Sequence, residues 1–374
     1  MKKVAISLWG SDFFVSSWRE DNLNGRNMKN SMKFGLLLAA VLVPLFSACF
    51  DDEENDTEVQ DPGVPFSVCT LNVDGLAIGN DEGPKEALTP AIGQWLVNGD
   101  FSFIGVQEDF DYDAQLTLPL ADAYEYDLWG SGMMNNPQMS LEEGGENGLA
   151  RFNTDGVKGF WKKSLTGART DSVRWKDNYG YFAHSWDENV VKGFRRYEIS
   201  TPEGRQLVIY NMHMDAGDEA EELAGLDEED RKARMSQWRQ LRDYVMEHLD
   251  QRPVIILGDL NTYYVRDSVK SQVIDVINQS GRATITDAWI QQEKNGQYPD
   301  MGDTRIQADS PTSGWTVNGE APDKIFYINP KGATCKLELD SVVFHNKNYF
   351  REDGVTPLGD HFPLSAHFRI KSVK

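Results

Sequence analysis

Two parts of the sequence share one strand–helix–strand layout, and this repetition limits the folds that are open to the chain. The first part runs from FSVCTLNVDG through a short helical segment, residues 85–98, to FSFIGVQED. The second runs from QLVIYNMHMD through a long, polar-rich helical segment to PVIILGDLN. Such units are typical of layered α/β domains, in which buried strands alternate with helices that cover the sheets.

Each of these four strands ends on a polar side chain, namely Asn72, Glu108, His213 and Asp259. Repeated strand–helix–strand units place equivalent strand ends beside one another. We therefore expect the four side chains to form one shared site.

The segment PVIILGDLN leaves two interpretations open. Side chains alternate between faces in an extended chain, so Asp259 and Asn261 would point the same way. Such a pair can form the floor of an active site. It can also be a turn, because Gly, Asp and Asn are all turn formers.

The last part of the chain adds three polar residues at strand boundaries. Asp323 begins the apolar strand in APDKIFYIN, and Asp360 and His361 precede the final strand in PLGDHFPLSAHFRI. The remaining histidines lack such neighbours in the sequence. We interpret His184, His248 and His345 as structural or surface residues and His367 as a packing residue.

The N-terminal region has the pattern of a signal peptide. The apolar run FGLLLAAVLVPLFSAC begins at Phe34, follows Lys29 and Lys33, and ends at Cys49. It is too short for a membrane span. Its end resembles a bacterial lipobox, which implies that Cys49 is lipidated and becomes the mature N-terminus. An ordinary signal peptide with an incidental cysteine is the alternative.

We therefore assign residues 1–48 to a leader and lipoprotein signal peptide. Residues 1–31 have no place in that plan, which indicates an over-extended gene model or a poorly processed leader. Residues 49–63 are acidic and nearly free of apolar side chains, so we expect a flexible tether. An acidic run after the lipidated cysteine resembles the surface-export signal of Bacteroidetes lipoproteins, which implies the outer-membrane surface of a bacterial envelope. A solvated spacer is the other interpretation.

The charge of the chain limits its partners. The sequence carries 37 basic and 59 acidic residues, a formal net charge of −22. Without residues 1–48, which hold six basic and three acidic residues, the charge becomes −25. Such a charge opposes binding to the phosphate backbone of nucleic acid. A small phosphorylated substrate stays compatible with it, because a bound divalent cation inverts the local field.

Two cysteines remain after Cys49. Cys69 and Cys335 both lie in apolar, strand-like surroundings. A disulfide is allowed in an exported protein, and buried thiols fit the sequence equally well.

Six motifs, in this order, resemble those of the endonuclease/exonuclease/phosphatase superfamily, the fold of deoxyribonuclease I, neutral sphingomyelinase and inositol-polyphosphate 5-phosphatase. The motifs are TLNVDG with Asn72, GVQE with Glu108, NMHMDAG with His213 and Asp215, GDLN with Asp259 and Asn261, DKIFY with Asp323, and GDHFP with Asp360 and His361. GDLN alone is moderately specific, whereas the ordered set is highly specific.

The resemblance implies an α/β fold in four layers, with two central mixed β-sheets packed face to face and helices outside. Residues 64–374 contain no Pro-, Ser- or Gly-rich linker. We therefore expect one catalytic domain over these residues, and a monomer.

The resemblance also implies a hydrolase that cleaves a phosphoester by in-line attack of an activated water. Its cofactor would be Mg²⁺, with Mn²⁺ or Ca²⁺ as alternatives. Glu108 is the best candidate metal ligand, since hard cations prefer carboxylate oxygen. Asn72 and Asp360 would support the metal or its water shell.

The family pattern implies roles for five further residues. Asp259 would hold or activate the attacking water, and Asn261 would donate to a phosphoryl oxygen. His213 and His361 would both act as acid/base groups, without a decision on which is the acid. Asp323 would orient the imidazole of His361 and stabilise its charged form.

The substrate class follows from weaker signals. ENGLARF and VVKGFRRYEI look like elements of the sphingomyelinase-like branch, although that branch usually has Gln where this chain has Asp215. We expect most of the aromatic side chains between Trp129 and Trp186 to belong to the core, and the others to contact an apolar or sugar portion of a substrate. We expect a small or lipid-linked phosphoester and a membrane contact through Cys49. An extracellular nuclease and a non-enzymatic glycan-binding lipoprotein are the alternatives.

Overall fold

The structure is a computed structural model that describes residues 61–76, 85–127, 139–141, 150–152, 154–180, 184–217, 227–302 and 320–373. The expectations for Cys49, for the leader and for most of the tether lie outside these residues. The described residues belong to one compact unit that ends at Lys374.

The strands, in chain order, are β1 (Val64–Asn72), β2 (Phe103–Gln107), β3 (Tyr124–Tyr126), β4 (Met139–Leu141), β5 (Ala150–Phe152), β6 (Lys158–Lys162), β7 (Thr166–Arg174), β8 (Gly193–Ser200), β9 (Gln206–His213), β10 (Val254–Asp259), β11 (Ala283–Asp287), β12 (Asp323–Pro330), β13 (Cys335–Phe344) and β14 (Leu364–Ser372). The α-helices are α1 (Lys85–Gly99), α2 (Asp113–Leu120), α3 (Glu228–Glu247), α4 (Asp275–Gln279) and α5 (Ala288–Glu293). A π-helical turn, Lys270–Ile274, leads into α4.

Two six-stranded mixed sheets form the centre of the fold. The order in the first sheet is β13-β14-β1-β2-β6-β3, and in the second it is β11-β12-β10-β9-β8-β7. Strands β4 and β5 form a separate two-stranded antiparallel sheet. The two strand–helix–strand repeats lie in different sheets, because β1 pairs in parallel with β2 and β9 pairs in parallel with β10.

The residues of β10 show why the layers form. Ile255 and Leu257 belong to an apolar cluster that joins the two sheets. Val254 and Ile256 belong to a second cluster, which joins the second sheet to α3. Alternate residues of a strand face opposite sides, so a strand covered on both sides is apolar at every position.

A third apolar cluster covers the outer face of the first sheet, where Ile92 and Leu96 of α1 and Leu116 of α2 pack against Leu71. The layers are thus helices, sheet, sheet and helices. The predicted four-layer sandwich with two central mixed sheets is confirmed.

The first described residue is Asp61, three positions before Val64. Asp61 accepts hydrogen bonds from the backbone N–H of Ser372 at 2.7 Å and from Arg205 at 3.0 Å. Asp61 is therefore bonded to β14 and to Arg205, and the tether over residues 49–63 stays a prediction. Cys69 and Cys335 are both buried free thiols, so they do not form a disulfide. Over the described ranges, no helix is long and apolar enough to cross a bilayer.

Candidate active site

The polar strand ends of both sheets meet at one edge of the sandwich. Asp259, the last residue of β10, is the register partner of His213 on β9 and of Asp323 on β12. Asn72, the last residue of β1 in the other sheet, donates from Nδ2 to Oδ2 of Asp259 at 3.0 Å. The structure therefore brings these predicted site residues together, with Asp259 at the centre.

The GDLN segment turns sharply at this point. Asn261 has a φ of +44°, and its backbone N–H donates to Oδ1 of Asp259 at 3.1 Å. A Cβ atom on Gly258 would lie 2.1 Å from the carbonyl oxygen of Met212, so only glycine fits there. The expectation that Asp259 and Asn261 extend from one strand face was wrong, because the strand ends at Asp259. The turn and the site are formed by the same residues.

The side chain of Asn261 is also held in place. Its Nδ2 donates to the carbonyl oxygen of Met214 at 3.1 Å. Met214 directly follows His213, and its own N–H donates to the carbonyl of Asp259 at 3.0 Å. The loops that follow β9 and β10 are therefore fastened to each other beside the site.

Asn72 lies between two carboxylates. Its Nδ2 donates to Oε1 of Glu108 at 2.8 Å as well as to Asp259, and its Oδ1 accepts the backbone N–H of Asp74 at 3.0 Å. An amide that ligates a metal uses its oxygen. The structure therefore gives Asn72 the position of a donor that orients both carboxylates.

His361 and Asp323 form a hydrogen-bonded pair. Nδ1 of His361 lies 2.8 Å from Oδ2 of Asp323, and its Nε2 lies 3.7 Å from Oδ2 of Asp259. A carboxylate on one ring nitrogen fixes the orientation of an imidazole and leaves the other nitrogen for chemistry. Asp323 thus makes the contact that its predicted orienting role requires, and the role itself stays a prediction.

His213 approaches the centre from the opposite side. Its Nε2 lies 3.5 Å from Oδ2 of Asp259 and 3.9 Å from Oε1 of Glu108. The side chain is almost fully buried, and the indole N–H of Trp175 donates to the His213 carbonyl at 2.6 Å. The ring is therefore held in a nearly dry position.

The two histidines differ in charge. Burial disfavours the imidazolium of His361, but the carboxylates of Asp323 and Asp259 outweigh it and hold the pKa of His361 well above its usual range. Burial, and then the cation of Lys192, lower the pKa of His213 to about 4. At neutral pH His361 is therefore charged and His213 is neutral.

The two buried aspartates differ as well. Burial alone would raise the pKa of Asp259, but the imidazolium of His361 and other donors lower it below its usual value. Burial raises the pKa of Asp323 to about 6, against the effect of His361. At neutral pH Asp259 is therefore an ionised acceptor, and the proton of the Asp323–His361 pair lies on the imidazole.

Negative charge accumulates on the side of the site that contains Glu108. Burial, and then the charge of Asp360, raise the pKa of Asp74 to about 7. Burial raises the pKa of Asp360 to about 6, and the charge of Glu108 adds to this effect. Lys85 at the start of α1 pairs with Asp74 and offsets part of this charge.

This acidic side fits a hard divalent cation. Oδ1 of Asp360 is buried and has no hydrogen-bond partner among the described residues. Glu108 keeps 26% of its side chain exposed and has a strained φ of +56°. Mg²⁺ takes carboxylate oxygens and retains several waters, so it suits carboxylates that border solvent. Glu108 and Asp360 are the residues that would hold it.

A second set of atoms has the spacing of metal ligands. Asp259, Asp323 and His361 each offer an atom within 4.8 Å of the others. However, Nδ1 of His361 is already bonded to Asp323, and its raised pKa favours the protonated ring, which cannot ligate a metal. We therefore interpret this set as an acid/base group.

Asp215 lies behind the site. It is fully buried, its Oδ2 accepts the backbone N–H of Tyr179 at 2.7 Å, and burial raises its pKa to about 9. Its backbone N–H donates to Gln237 of α3 at 2.9 Å. Asp215 therefore holds the loop after β9 against Tyr179 and Gln237.

The other histidines pack against aromatic rings or carboxylates. His248 is exposed and stacks on Tyr244, and His345 contacts Trp95 edge to face, in agreement with the structural interpretation. Nδ1 of His184 lies 3.3 Å from Asp230, a contact that is compatible with the structural interpretation.

Part of the aromatic-rich region can also be described. Phe160, Trp161 and Trp175 are buried, as expected for core residues. Trp129, Tyr181 and Phe182 lie outside the described residues, and so does the GL element of ENGLARF.

Two residues near the site were missed in the sequence. Asp74 lies two positions after Asn72 and joins the acidic side. Lys192 lies in the segment VVKGF, and its Nζ donates to the carbonyl of Met214 at 3.2 Å. The signal for Lys192 was present, since a lysine among apolar residues before a strand is a candidate for a buried charge.

No protein-family model matches the chain. The sphingomyelinase of Mycobacterium tuberculosis (strain ATCC 25618 / H37Rv) is 26% identical over 313 residues, which cover 81% of this chain and 52% of that protein. The chain thus spans about half the length of this curated relative.

The solved structures give a clearer result. An endonuclease/exonuclease/phosphatase family protein from Bacteroides thetaiotaomicron is similar with a TM-score of 0.52 and 16% identity, over 83% of this chain and 99% of that chain. Truncated TDP2 from Caenorhabditis elegans gives a TM-score of 0.51 and 17% identity, over 82% and 97% of the two chains. The chain has the endonuclease/exonuclease/phosphatase fold. The sphingomyelinase relative agrees with the sphingomyelinase-like elements of the sequence.

The endonuclease/exonuclease/phosphatase fold explains why the site lies where it does. Parallel strands of each sheet end at the same edge, and the two sheets face each other. Residues far apart in the chain, such as Asn72 and Asp259, therefore meet between the sheets.

Proposed function

We propose that the protein is a metal-dependent phosphoester hydrolase. The observation that carries this proposal is the position of Asp259, an ionised carboxylate within 3.7 Å of His361, 3.5 Å of His213 and 3.0 Å of Asn72. A carboxylate between two imidazoles and an amide, beside an acidic side suited to a hard cation, has the groups that phosphoester hydrolysis needs.

Glu108 and Asp360 hold the divalent cation in this proposal, and Mg²⁺ is the ion that suits their oxygens best. Mn²⁺ and Ca²⁺ are the alternatives. When bound, the cation neutralises charge on the phosphoryl oxygens. Asn72 acts through the carboxylates, since it donates to Glu108 at 2.8 Å and to Asp259 at 3.0 Å.

The proton transfers follow from the charges of the resting site. A water attacks phosphorus in line with the leaving oxygen and gives a proton to the carboxylate of Asp259. The bond between phosphorus and the leaving oxygen breaks, and that oxygen takes the proton from the imidazolium of His361. Asp323 holds the ring of His361 at 2.8 Å, while neutral His213 and the amide of Asn261 donate to phosphoryl oxygens.

The substrate in this proposal is a small or lipid-linked phosphoester. The charge of −22 opposes binding to long polyanions, whose affinity depends on many cationic contacts. The similarity to a sphingomyelinase supports a lipid-linked diester. Two lysines lie near the site, and each forms an ion pair within the protein: Lys85 with Asp74, and Lys192 with Asp187.

The proposed location is the bacterial cell envelope, with Cys49 as a lipid anchor. The pattern from Lys29 to Cys49 supports it, and these residues lie outside the described part of the chain. An anchored enzyme of this kind would meet lipid substrates directly.

The substrate class can be tested with a panel of phosphoesters under one Mg²⁺ concentration. The panel consists of sphingomyelin, bis-nitrophenyl phosphate, an inositol phosphate and double-stranded DNA. We expect kcat/KM to be highest for a small or lipid phosphoester. If DNA is degraded fastest, with a rate that falls steeply with salt, the protein is a nuclease. If no phosphoester is cleaved with any of the three cations, the proposed function is wrong.

A further inference from the structure

The carbonyl oxygen of Met214 accepts two hydrogen bonds from different parts of the chain. Nδ2 of Asn261 donates to it from the turn after β10 at 3.1 Å. Nζ of Lys192 donates to it from the residue before β8 at 3.2 Å. A carbonyl oxygen has two lone pairs, so both bonds can exist at once. Lys192 is thus linked to Asn261 through one backbone atom.

Lys192 is a buried cation with a dedicated partner. It is 3% exposed, and it forms an ion pair with Asp187, which is fully buried. The other oxygen of Asp187 accepts the backbone N–H of Ala216 at 2.7 Å. The ion pair therefore contacts both ends of the segment Met214–Ala216. Lys192 binds the carbonyl of Met214, and Asp187 binds the N–H of Ala216.

A buried ion pair of this kind requires an explanation. Removing two charges from water is costly, and apolar residues of similar volume often stabilise a fold as well or better. Lys192 is too deeply buried to contact a substrate, since 4% of its side chain is exposed. Its polar contact instead reaches the carbonyl of Met214, the residue after His213 and the acceptor of the Asn261 amide.

We propose that Lys192, supported by Asp187, is a positioning residue for Asn261. The bond from Lys192 fixes the carbonyl of Met214, and that carbonyl fixes one N–H of the Asn261 amide. The second N–H of the amide is thereby aimed in one direction, where it can donate to a phosphoryl oxygen. This inference rests on the proposed function, in which Asn261 binds that oxygen.

The consequence is that loss of Lys192 acts on the reaction through Asn261. A freed carbonyl would let the amide rotate away from the phosphoryl oxygen, and small misplacements of binding groups cost up to about 100-fold in rate. The cost should fall on kcat more than on KM, because the turn and the acidic side keep their other bonds.

The test is a double-mutant cycle of Lys192→Met and Asn261→Ala, measured as kcat on bis-nitrophenyl phosphate with Mg²⁺. We expect Lys192→Met to lower kcat at least about 10-fold in the wild-type background and less than about 3-fold in the Asn261→Ala background, since residues that act as a unit are non-additive. Equal losses in both backgrounds would overturn the inference.

The matched control is Lys158→Met. Lys158 is an equally buried lysine, paired with Asp113 and bonded to Thr117 at 2.6 Å. The losses in kcat from Lys158→Met and Asn261→Ala should multiply in the double variant, because Lys158 bonds to Asp113 and Thr117 and not to Met214. Coupling of the same size for both lysines would show a general loss of stability, and the positioning role would be rejected.

A second comparison separates the hydrogen bond from the charge. Both variants are made in an Asp187→Asn background, because loss of Lys192 would otherwise leave the carboxylate of Asp187 buried without its ion-pair partner. In this background Lys192→Gln keeps an N–H donor for the Met214 carbonyl, whereas Lys192→Met has none. We expect Lys192→Gln to recover several-fold of the kcat lost in Lys192→Met. Equal activity of the two variants would contradict a role through the Met214 carbonyl.

A readout without catalysis keeps this inference separate from the proposed function. The side-chain amide resonances of Asn261, assigned with Asn261→Ala, should shift in Lys192→Met and stay in place in Lys158→Met. If the wild type cleaves no phosphoester and the shift is seen, the proposed function fails and the structural link stands. If the resonances do not move, the link itself is wrong.

Discussion

Asp259 and Asp323 oppose each other across the antiparallel pair of β10 and β12, and both are almost fully buried. Two buried carboxylates at one position repel each other unless positive charge lies nearby. His361 supplies that charge, with Nδ1 at 2.8 Å from Asp323 and Nε2 at 3.7 Å from Asp259. The imidazolium therefore offsets the repulsion between the two carboxylates and favours the ionised form of each.

The His361–Asp323 pair should behave as a unit. We predict that His361→Ala lowers kcat by at least about 100-fold, the usual contribution of a positioned acid/base group. Adding Asp323→Ala should cost little more, because Asp323 acts through the imidazole. The measurement is kcat for the wild type, both single variants and the double variant. Losses that multiply would show that Asp323 has a separate role.

Divalent cations should stabilise the folded protein. The carboxylates of Glu108 and Asp360 repel each other, and a cation that binds only the folded state raises the free energy of unfolding by about 2.7 kcal/mol at 100 times its Kd. We predict that Mg²⁺ raises Tm by a few degrees, that chelator reverses the rise, and that Glu108→Gln removes it. An identical rise in Glu108→Gln would place the cation elsewhere.

His345 should make stability depend on pH. Burial lowers its pKa to about 4, below the value near 6.5 in the unfolded chain. The unfolded state thus binds more protons between these values, so stability is complete above about pH 6.5 and falls towards pH 4. We predict that the decrease in the free energy of unfolding from pH 7 to pH 4.5 is about 1 to 3 kcal/mol smaller in His345→Gln than in the wild type. Because buried His213 acts in the same direction, the measurement is the difference between wild type and variant from denaturant unfolding at pH 7 and pH 4.5.

The proposed lipid anchor gives a prediction about location. Cys49→Ser should turn a membrane-pelleted, detergent-soluble protein into a soluble or unprocessed one, because the thiol that carries the lipid is gone. Cell fractionation and palmitate labelling of the expressed full chain would measure this. Cys335→Ser is the control, since Cys335 is a buried free thiol of the domain. Equal partitioning of wild type and Cys49→Ser would end the lipoprotein interpretation.

The sequence predicted the layers and the strand ends because these depend on local pattern. The run Val254 to Leu257 is apolar at every position, and it lies between two apolar clusters as expected. Four polar residues lie at or next to strand ends, as the sequence predicted: Asn72, Glu108, His213 and Asp259. The order of the six motifs then gave the fold.

The sequence could not predict which sheet contains each repeat or how the buried charges pair. The parallel pairs β1–β2 and β9–β10 look alike in sequence, and only packing across the sheets separates them. The turn at Asn261 depends on the carbonyl of Met214, 47 residues away. The pairing of Lys192 with Asp187 could not be predicted for the same reason, since the partner of a buried charge is set by tertiary contacts.

The most direct test of the proposed chemistry is the rate of phosphodiester hydrolysis by Asp259→Asn, which removes one charge at nearly constant shape. Activity on bis-nitrophenyl phosphate would be measured with Mg²⁺ and with chelator, and Tm would confirm folding. We predict that the wild type is active only with the cation and that Asp259→Asn loses at least about 100-fold in kcat while it stays folded. A folded Asp259→Asn that keeps wild-type activity, or a wild type that is equally active in chelator, would contradict the proposal.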